Sequence, residues 1–201
     1  MKIGVLAVQG AVLEHIDMLK KCGVEAVPVK REEDISAVDA LIIPGGESTT
    51  IGRLVKKFNL GMHIKKMVDE GKPVYGTCAG MILLAEEIEG EEPHLKLMNI
   101  KVLRNAFGRQ RESFEADLDV PLLGDKFFPG VFIRAPYVLS AGPEVEVLSS
   151  FQDKIVAARQ GNILVSAFHP ELTDDDRFHR LLISMVKETN GNKSSLKNLI
   201  F

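Results

Sequence analysis

Tryptophan is absent, and tyrosine and cysteine occur only twice each among 201 residues. The cysteines, Cys22 and Cys78, make neither a disulfide framework nor a metal-ligand spacing, so no metal site is expected and both thiols should stay reduced. There is no excess of positive charge: 25 Lys and Arg against 28 Asp and Glu give a net charge of −3, and no basic stripe points to nucleic acid. No apolar run approaches the roughly 18 residues of a membrane-spanning helix. The opening Met1-Lys2-Ile3-Gly4-Val5-Leu6 enters a strand directly, without the tripartite pattern of a signal peptide. Repeats and low-complexity segments are lacking too. These absences leave a cytoplasmic protein of ordinary globular composition, 45% hydrophobic, long enough to bury a sizeable core.

The first half alternates apolar strand-like and helical runs. Residues 2–8 read as a strand buried on both faces. A helix is expected from Ala11 to Lys21, with Val12, Ile16 and Leu19 on one face and Gly23 as its stop. Strands follow at Val24–Val29 and Ala40–Ile43, separated by the acidic stretch Arg31–Asp34 and a turn. Ser48 or Thr49 is placed to cap a helix carrying Ile51, Leu54, Val55 and Phe58, and a further helix covers Met62–Glu70. A fourth strand at Val74–Thr77 leads into another helix. The order predicts an α/β fold: a doubly wound, mostly parallel sheet with helices on both faces. Between 97 and 165 short alternating runs predict extra antiparallel strands on or beside that sheet. The chain returns to a buried strand at Ile163–Phe168, and Thr173 with Asp174, Asp175 and Asp176 reads as the start of a last helix ending near Glu188. Residues 1–189 are therefore expected to form one domain and 190–201 a frayed tail.

Three strand ends carry the chemistry. Gly76-Thr77-Cys78-Ala79-Gly80 has the spacing of a nucleophile elbow, with cysteine in the serine position. The glycines would let backbone approach backbone, and the turn would lift the thiol to a helix N-terminus. A small buried hydrophobe is the alternative reading of Cys78. Such a thiol needs a base. Of five histidines, His15, His63 and His179 lie in helices among charged residues and read as surface positions, and nothing around His94 supports a role. His169 follows a buried strand at the end where parallel sheets bind ligands, and Glu171 lies two residues on, on the same side if the chain is extended. A strand that merely ends in histidine is the alternative. Gly45-Gly46 ends a third strand; it lacks the lysine and spacing of a phosphate loop, and with the Ala79 N–H it could form an oxyanion hole or be a simple turn. Arg104-Asn105-Ala106-Phe107-Gly108-Arg109-Gln110-Arg111 is a basic patch, and Arg134 follows Val131-Phe132-Ile133; either is suited to a carboxylate or is solvated charge.

Taken together, Pro44-Gly45-Gly46-Glu47-Ser48-Thr49-Thr50, Gly76-Thr77-Cys78-Ala79-Gly80 and Phe168-His169-Pro170-Glu171-Leu172 resemble the triad (class I) glutamine amidotransferases. The spellings Gly-Gly-Glu-Ser-Thr-Thr, Arg-Asn-Ala-Phe-Gly-Arg-Gln, Ser-Phe-Glu-Ala-Asp, Gly-Val-Phe-Ile-Arg-Ala-Pro and Gly-Val-Leu-Ala-Val-Gln-Gly-Ala are similar to the branch that feeds ammonia to pyridoxal 5′-phosphate synthases. The similarity runs from residue 1 to about 188. It implies hydrolysis of L-glutamine to glutamate and ammonia, with Cys78 as nucleophile, His169 as base and Glu171 as its orienter. It implies an oxyanion hole at Gly46 and Ala79, and glutamine binding by Gly46, Glu47, Ser48, Arg104, Ile133 and Arg134. No cofactor is implied. The implied partner is a (β/α)₈-barrel synthase subunit that activates the glutaminase on docking. The Gln9-Gly10 loop, beside the expected oxyanion hole, is our own candidate for that switch. The glutaminase of imidazole glycerol phosphate synthase, a cysteine peptidase-like protein and a non-catalytic module of the same fold are the competing readings.

Overall fold

The computed structural model describes residues 1–105 and 113–197, with side chains described to residue 191. The main sheet is built from β1 (Lys2–Leu6), β2 (Glu25–Val29), β3 (Ala40–Ile43), β4 (Val74–Thr77), β5 (Ala85–Ile88), β6 (Met98–Leu103), β9 (Tyr137–Ala141), β10 (Glu146–Phe151), β11 (Lys154–Gln160) and β12 (Ile163–Ser166). Its order is β2-β1-β3-β4-β12-β11-β9-β6-β5, with β10 on β11. From β2 to β12 the neighbours are parallel, as the apolar strand runs predict. Beyond β12 the sheet continues antiparallel through β11, β9 and β6. A separate hairpin pairs β7 (Ser113–Leu118) with β8 (Phe128–Ile133).

The helices are α1 (Val12–Lys21), α2 (Glu32–Ser36), α3 (Ser48–Lys57), α4 (Leu60–Asp69), α5 (Ala79–Leu84) and α6 (Arg177–Lys197). Three differ from the sequence reading. The Arg31–Asp34 stretch enters a short helix, because the Asp34 carboxylate accepts the Lys30 and Arg31 N–H groups at 2.9 and 3.0 Å. Glu47, rather than Ser48 or Thr49, caps α3: its carboxylate accepts the N–H groups of Thr49 and Thr50. At α6, Thr173 does not open the helix. Its hydroxyl accepts the Asp175 N–H and the Asp175 carboxylate accepts that of Arg177, so the helix starts at Arg177; it runs to Lys197, past Glu188. Residues 106–112, including Arg109 and Arg111, and 198–201 lie outside the described residues.

β1, β3, β4 and β12 are almost wholly buried, and their side chains form the centre of the core. A phenylalanine cluster ties the hairpin to this centre. The Phe168 ring lies 5.6 Å from Phe128, 5.6 Å from Phe132 and 5.1 Å from Phe178, in tilted and edge-on contacts. All four rings are fully buried. Phe168→Ala would empty the junction of β12, β8 and α6, and a loss of about 3–5 kcal/mol is expected in denaturant unfolding. A loss below 1 kcal/mol would mean that the hairpin is not anchored here.

Candidate active site

The register of the three central strands puts their ends side by side. Ile43 pairs with Gly76, and Thr77 with Ser166. Gly45-Gly46, Cys78 and His169 therefore leave neighbouring strands at one edge, as the strand-end reading requires.

Cys78 sits in the elbow at φ 47° and ψ −101°, strained for an L residue, and its N–H is held by the Ser166 carbonyl at 2.8 Å. The turn depends on both glycines. A Cβ on Gly76 would lie 2.6 Å from the Gly80 carbonyl, and one on Gly80 would overlap the Ile43 carbonyl. Cys78 is 6% exposed, with Sγ 3.8 Å from the Ile133 carbonyl oxygen.

His169 Nδ1 lies 2.8 Å from Glu171 Oε1, and Cys78 is the other group that acts on the imidazole. The His–Glu contact forms by a route other than extended chain. Pro170–Leu172 make a single 3₁₀ turn closed by Leu172 N–H on the His169 carbonyl, which folds the carboxylate back under the ring. The His169 N–H is held by the Val131 carbonyl at 2.8 Å. Burial alone would lower the His169 pKa; hydrogen bonds to Cys78 and Glu171, and their negative charge, outweigh it and raise it to about 10. Burial presses Glu171 the other way, upward, but the facing His15 and the bond to His169 hold its carboxyl below the usual range.

A cavity of about 400 Å³ opens over this group. It is lined by Cys78, His169, Gly46, Ala79, Glu47, Ser48, Arg104, Ile133 and Arg134, which are the site residues named from the sequence apart from buried Glu171. Ile82 and Asn105 complete the wall. Ala79 opens α5, so its N–H has no carbonyl of its own helix to bond. The Gly46 segment rests on Gln9, whose side-chain oxygen accepts the Glu47 N–H at 2.9 Å. Arg104 is engaged by Glu91, whose two oxygens lie 2.8 and 2.6 Å from Nη1, with Glu47 at 3.6 Å. An incoming carboxylate must compete with Glu91 for that guanidinium.

His15 and His179 are not surface residues. Both are fully buried, His63 pairs with Glu32 at 2.8 Å, and half-buried His94 packs against Gly52. His15 Nδ1 lies 2.9 Å from His179 Nε2; its Nε2 is 3.2 Å from Thr77 Oγ1 and 3.3 Å from Glu171 Oε2. Charged neighbours in sequence hid this, since the partners of His15 lie 62 and 164 residues away.

A sequence model described as the SNO glutamine amidotransferase family matches residues 5–188. A "Pyridoxal 5'-phosphate synthase subunit PdxT" of Pelotomaculum thermopropionicum is 59% identical over 193 residues, 96% of this chain and 98% of the relative. The protein of the same name in Geobacillus thermodenitrificans is 57% identical over 189 residues, 94% of this chain and 96% of the relative. A crystal structure of a glutamine amidotransferase superposes with a TM-score of 0.87 at 49% identity, covering 92% of this chain and 98% of that one. A putative GMP synthase subunit from Thermoplasma acidophilum, at 16% identity, a TM-score of 0.70 and coverages of 96% and 98%, shares the fold. With a family match over nearly the whole chain and relatives more than half identical along their length, the chain belongs to the SNO glutamine amidotransferase family.

Proposed function

We propose that this amidotransferase is the glutaminase subunit of a pyridoxal 5′-phosphate synthase, working through Cys78, His169 and Glu171 within one domain of residues 1–189. The Cys78 thiolate adds to the side-chain amide carbon of L-glutamine. The resulting oxyanion is received by the N–H groups of Gly46 and Ala79. The His169 imidazolium gives its proton to the departing nitrogen, the C–N bond breaks, and ammonia leaves a thioester. Water, deprotonated by His169, adds to the thioester carbon; the C–S bond then breaks to give glutamate and restore the thiol. Glu171 orients the imidazole and balances its charge. Arg104 and Arg134 receive the α-carboxylate, with Glu47, Ser48 and Ile133 completing the glutamine site. The observation that carries this reading is the convergence of a strained cysteine, a carboxylate-backed histidine and two arginines on one cavity.

The pyridoxal phosphate assignment is supported by the names of the relatives. It calls for a (β/α)₈-barrel synthase partner, because ammonia released into water is protonated and lost. Two free cysteines, one of them the nucleophile, fit a reducing compartment, the cytoplasm. The Gln9-Gly10 loop is the proposed point of activation: it bonds the Glu47 N–H through Gln9 and carries the Ala11 N–H that meets the Gly45 carbonyl at 3.0 Å. The test is ammonia release from glutamine with and without the barrel subunit. Release should rise on adding the subunit, and Gln9→Ala should lower the stimulated rate about fivefold, the effect of one lost hydrogen bond. A barrel subunit that neither binds nor stimulates would overturn the partner assignment. An unchanged stimulated rate in Gln9→Ala would overturn the role of the loop.

A further inference from the structure

The triad is continued by buried residues that the proposed reaction does not use. Glu171 presents one oxygen to His169. The other, Oε2, is buried and makes no hydrogen bond of good angle among the described residues. The atom facing it is His15 Nε2, at 3.3 Å, and both side chains are wholly inaccessible to solvent. A carboxylate only accepts. Two lone pairs held face to face without water would repel, so Nε2 of His15 carries the proton, bonded to Thr77 Oγ1 at 3.2 Å and facing Glu171 Oε2 at 3.3 Å. Nδ1 of His15 is then the acceptor, and the His179 Nε2–H donates to it across 2.9 Å. This leaves His179 Nδ1 as a bare lone pair, which agrees with its being buried without a partner among the described residues; an N–H there would be an orphaned donor. One direction of donation therefore runs from His179 to His15 and points the His15 N–H at Thr77 and at the Glu171 carboxylate that holds His169. The same Thr77 oxygen accepts the Gly45 N–H at 3.0 Å, so His15 also braces the loop that carries Gly46.

We propose that His15, with its tautomer set by His179, is a positioning residue that holds the Glu171 carboxylate on His169. This rests on the reading of Cys78, His169 and Glu171 as the triad. His15 acts as a neutral N–H dipole: burial outweighs the pull of Glu171 and keeps its pKa lowered, and the His179 pKa falls to about 3 through burial and the neighbouring His15. The titratable groups around Glu171 are His15 on α1, Tyr75 on β4 and His169, with Cys78 beyond His169 and His179 behind His15; Glu14 and Asp176 face the histidines. Tyr75 stays neutral because burial lifts its pKa well above the ordinary value.

The test compares wild type, H15L, H15Q, H179L and C78A in complex with the barrel subunit, reading kcat, KM for glutamine and the acid limb of the pH–rate profile. Without the His15 donor, burial of Glu171 is opposed only by His169 and a backbone hydrogen bond. H15L should lose kcat by about 10- to 100-fold with little change in KM, and its acid limb should move up by about one pH unit. In H15Q the carboxamide N–H₂ reaches the place of the imidazole Nε2, and kcat should recover at least about tenfold over H15L. H179L, which removes only the group that sets the tautomer, should shift kcat and the acid limb in the same direction by less. A folded H15L with wild-type kcat and acid limb overturns the inference, as does an H15Q no better than H15L. If H15L does not fold, unchanged values in H179L overturn it. Ammonia release that survives in C78A overturns the triad itself, whereas release that needs Cys78 but ignores His15 overturns this inference alone.

Discussion

Glutamine hydrolysis is expected to fall by at least about four orders of magnitude in Cys78→Ala, to background, while the fold stays within about 1 kcal/mol of wild type. The chemical half follows from the mechanism: without a thiolate there is no thioester, and water would have to attack the amide directly. The structural half follows from the elbow. Alanine keeps the Cβ of Cys78 and meets the same positive φ, and the sulfur gives up its 3.8 Å contact with the Ile133 carbonyl and its interaction with the His169 imidazole. The cavity and its arginines remain, so glutamine should still bind and the loss should appear in kcat. The other cysteine cannot substitute. Burial and the neighbouring Asp176, 3.8 Å from its sulfur, raise the Cys22 pKa, so it holds the less reactive thiol form. Ammonia release and the thermal midpoint, measured on the same preparation with the barrel subunit, check both halves. Substantial turnover in a folded Cys78→Ala would remove Cys78 from the mechanism.

The elbow was readable because its requirement is local: two glycines flank the cysteine because the Gly80 and Ile43 backbones leave no room for a Cβ. The parallel half of the sheet was readable for a similar reason, since strands buried on both faces must be continuous apolar runs, and Ala40–Ile43 is one. His15 and His179 were not. Each sits in an amphipathic helix beside charged residues, and a histidine gives the same local pattern whether it meets water or another ring. Their burial is decided by α1 and α6 meeting near Glu171, at separations no periodicity reports. The cap of α3 departs from the sequence pattern for a smaller reason. Glu47 precedes better-known capping residues, yet its longer side chain reaches back to two N–H groups and to the Thr50 hydroxyl. That cap also turns the Glu47 carboxylate toward the helix start, and these hydrogen bonds outweigh its slight burial and hold its pKa low.

Gly45→Ala is expected to cost about 10²–10⁴-fold in kcat/KM, because one methyl group would occupy the place of the His169 imidazole, the proposed base. A Cβ on Gly45 would overlap His169 Cε1 and lie 2.9 Å from Nδ1. The backbone cannot retreat easily. Gly45 N–H donates to Thr77 Oγ1 at 3.0 Å and its carbonyl accepts the Ala11 N–H at 3.0 Å, so it is pinned on both sides. His169 must move instead, and its own backbone is pinned by the Val131 carbonyl. The ring can then only rotate, away from Cys78, from Glu171 or from both. Gly45 is not in the left-handed region, so alanine fits its dihedral angles and the stability loss should stay at the roughly 1–3 kcal/mol of overpacking. Gly61→Ala is the comparator: there the nearest atom is the flexible Leu95 side chain at 3.3 Å, remote from the cavity, and hydrolysis should be unchanged. A folded Gly45→Ala with wild-type turnover would show that the imidazole works from another position, and would take His169 as placed here out of the mechanism.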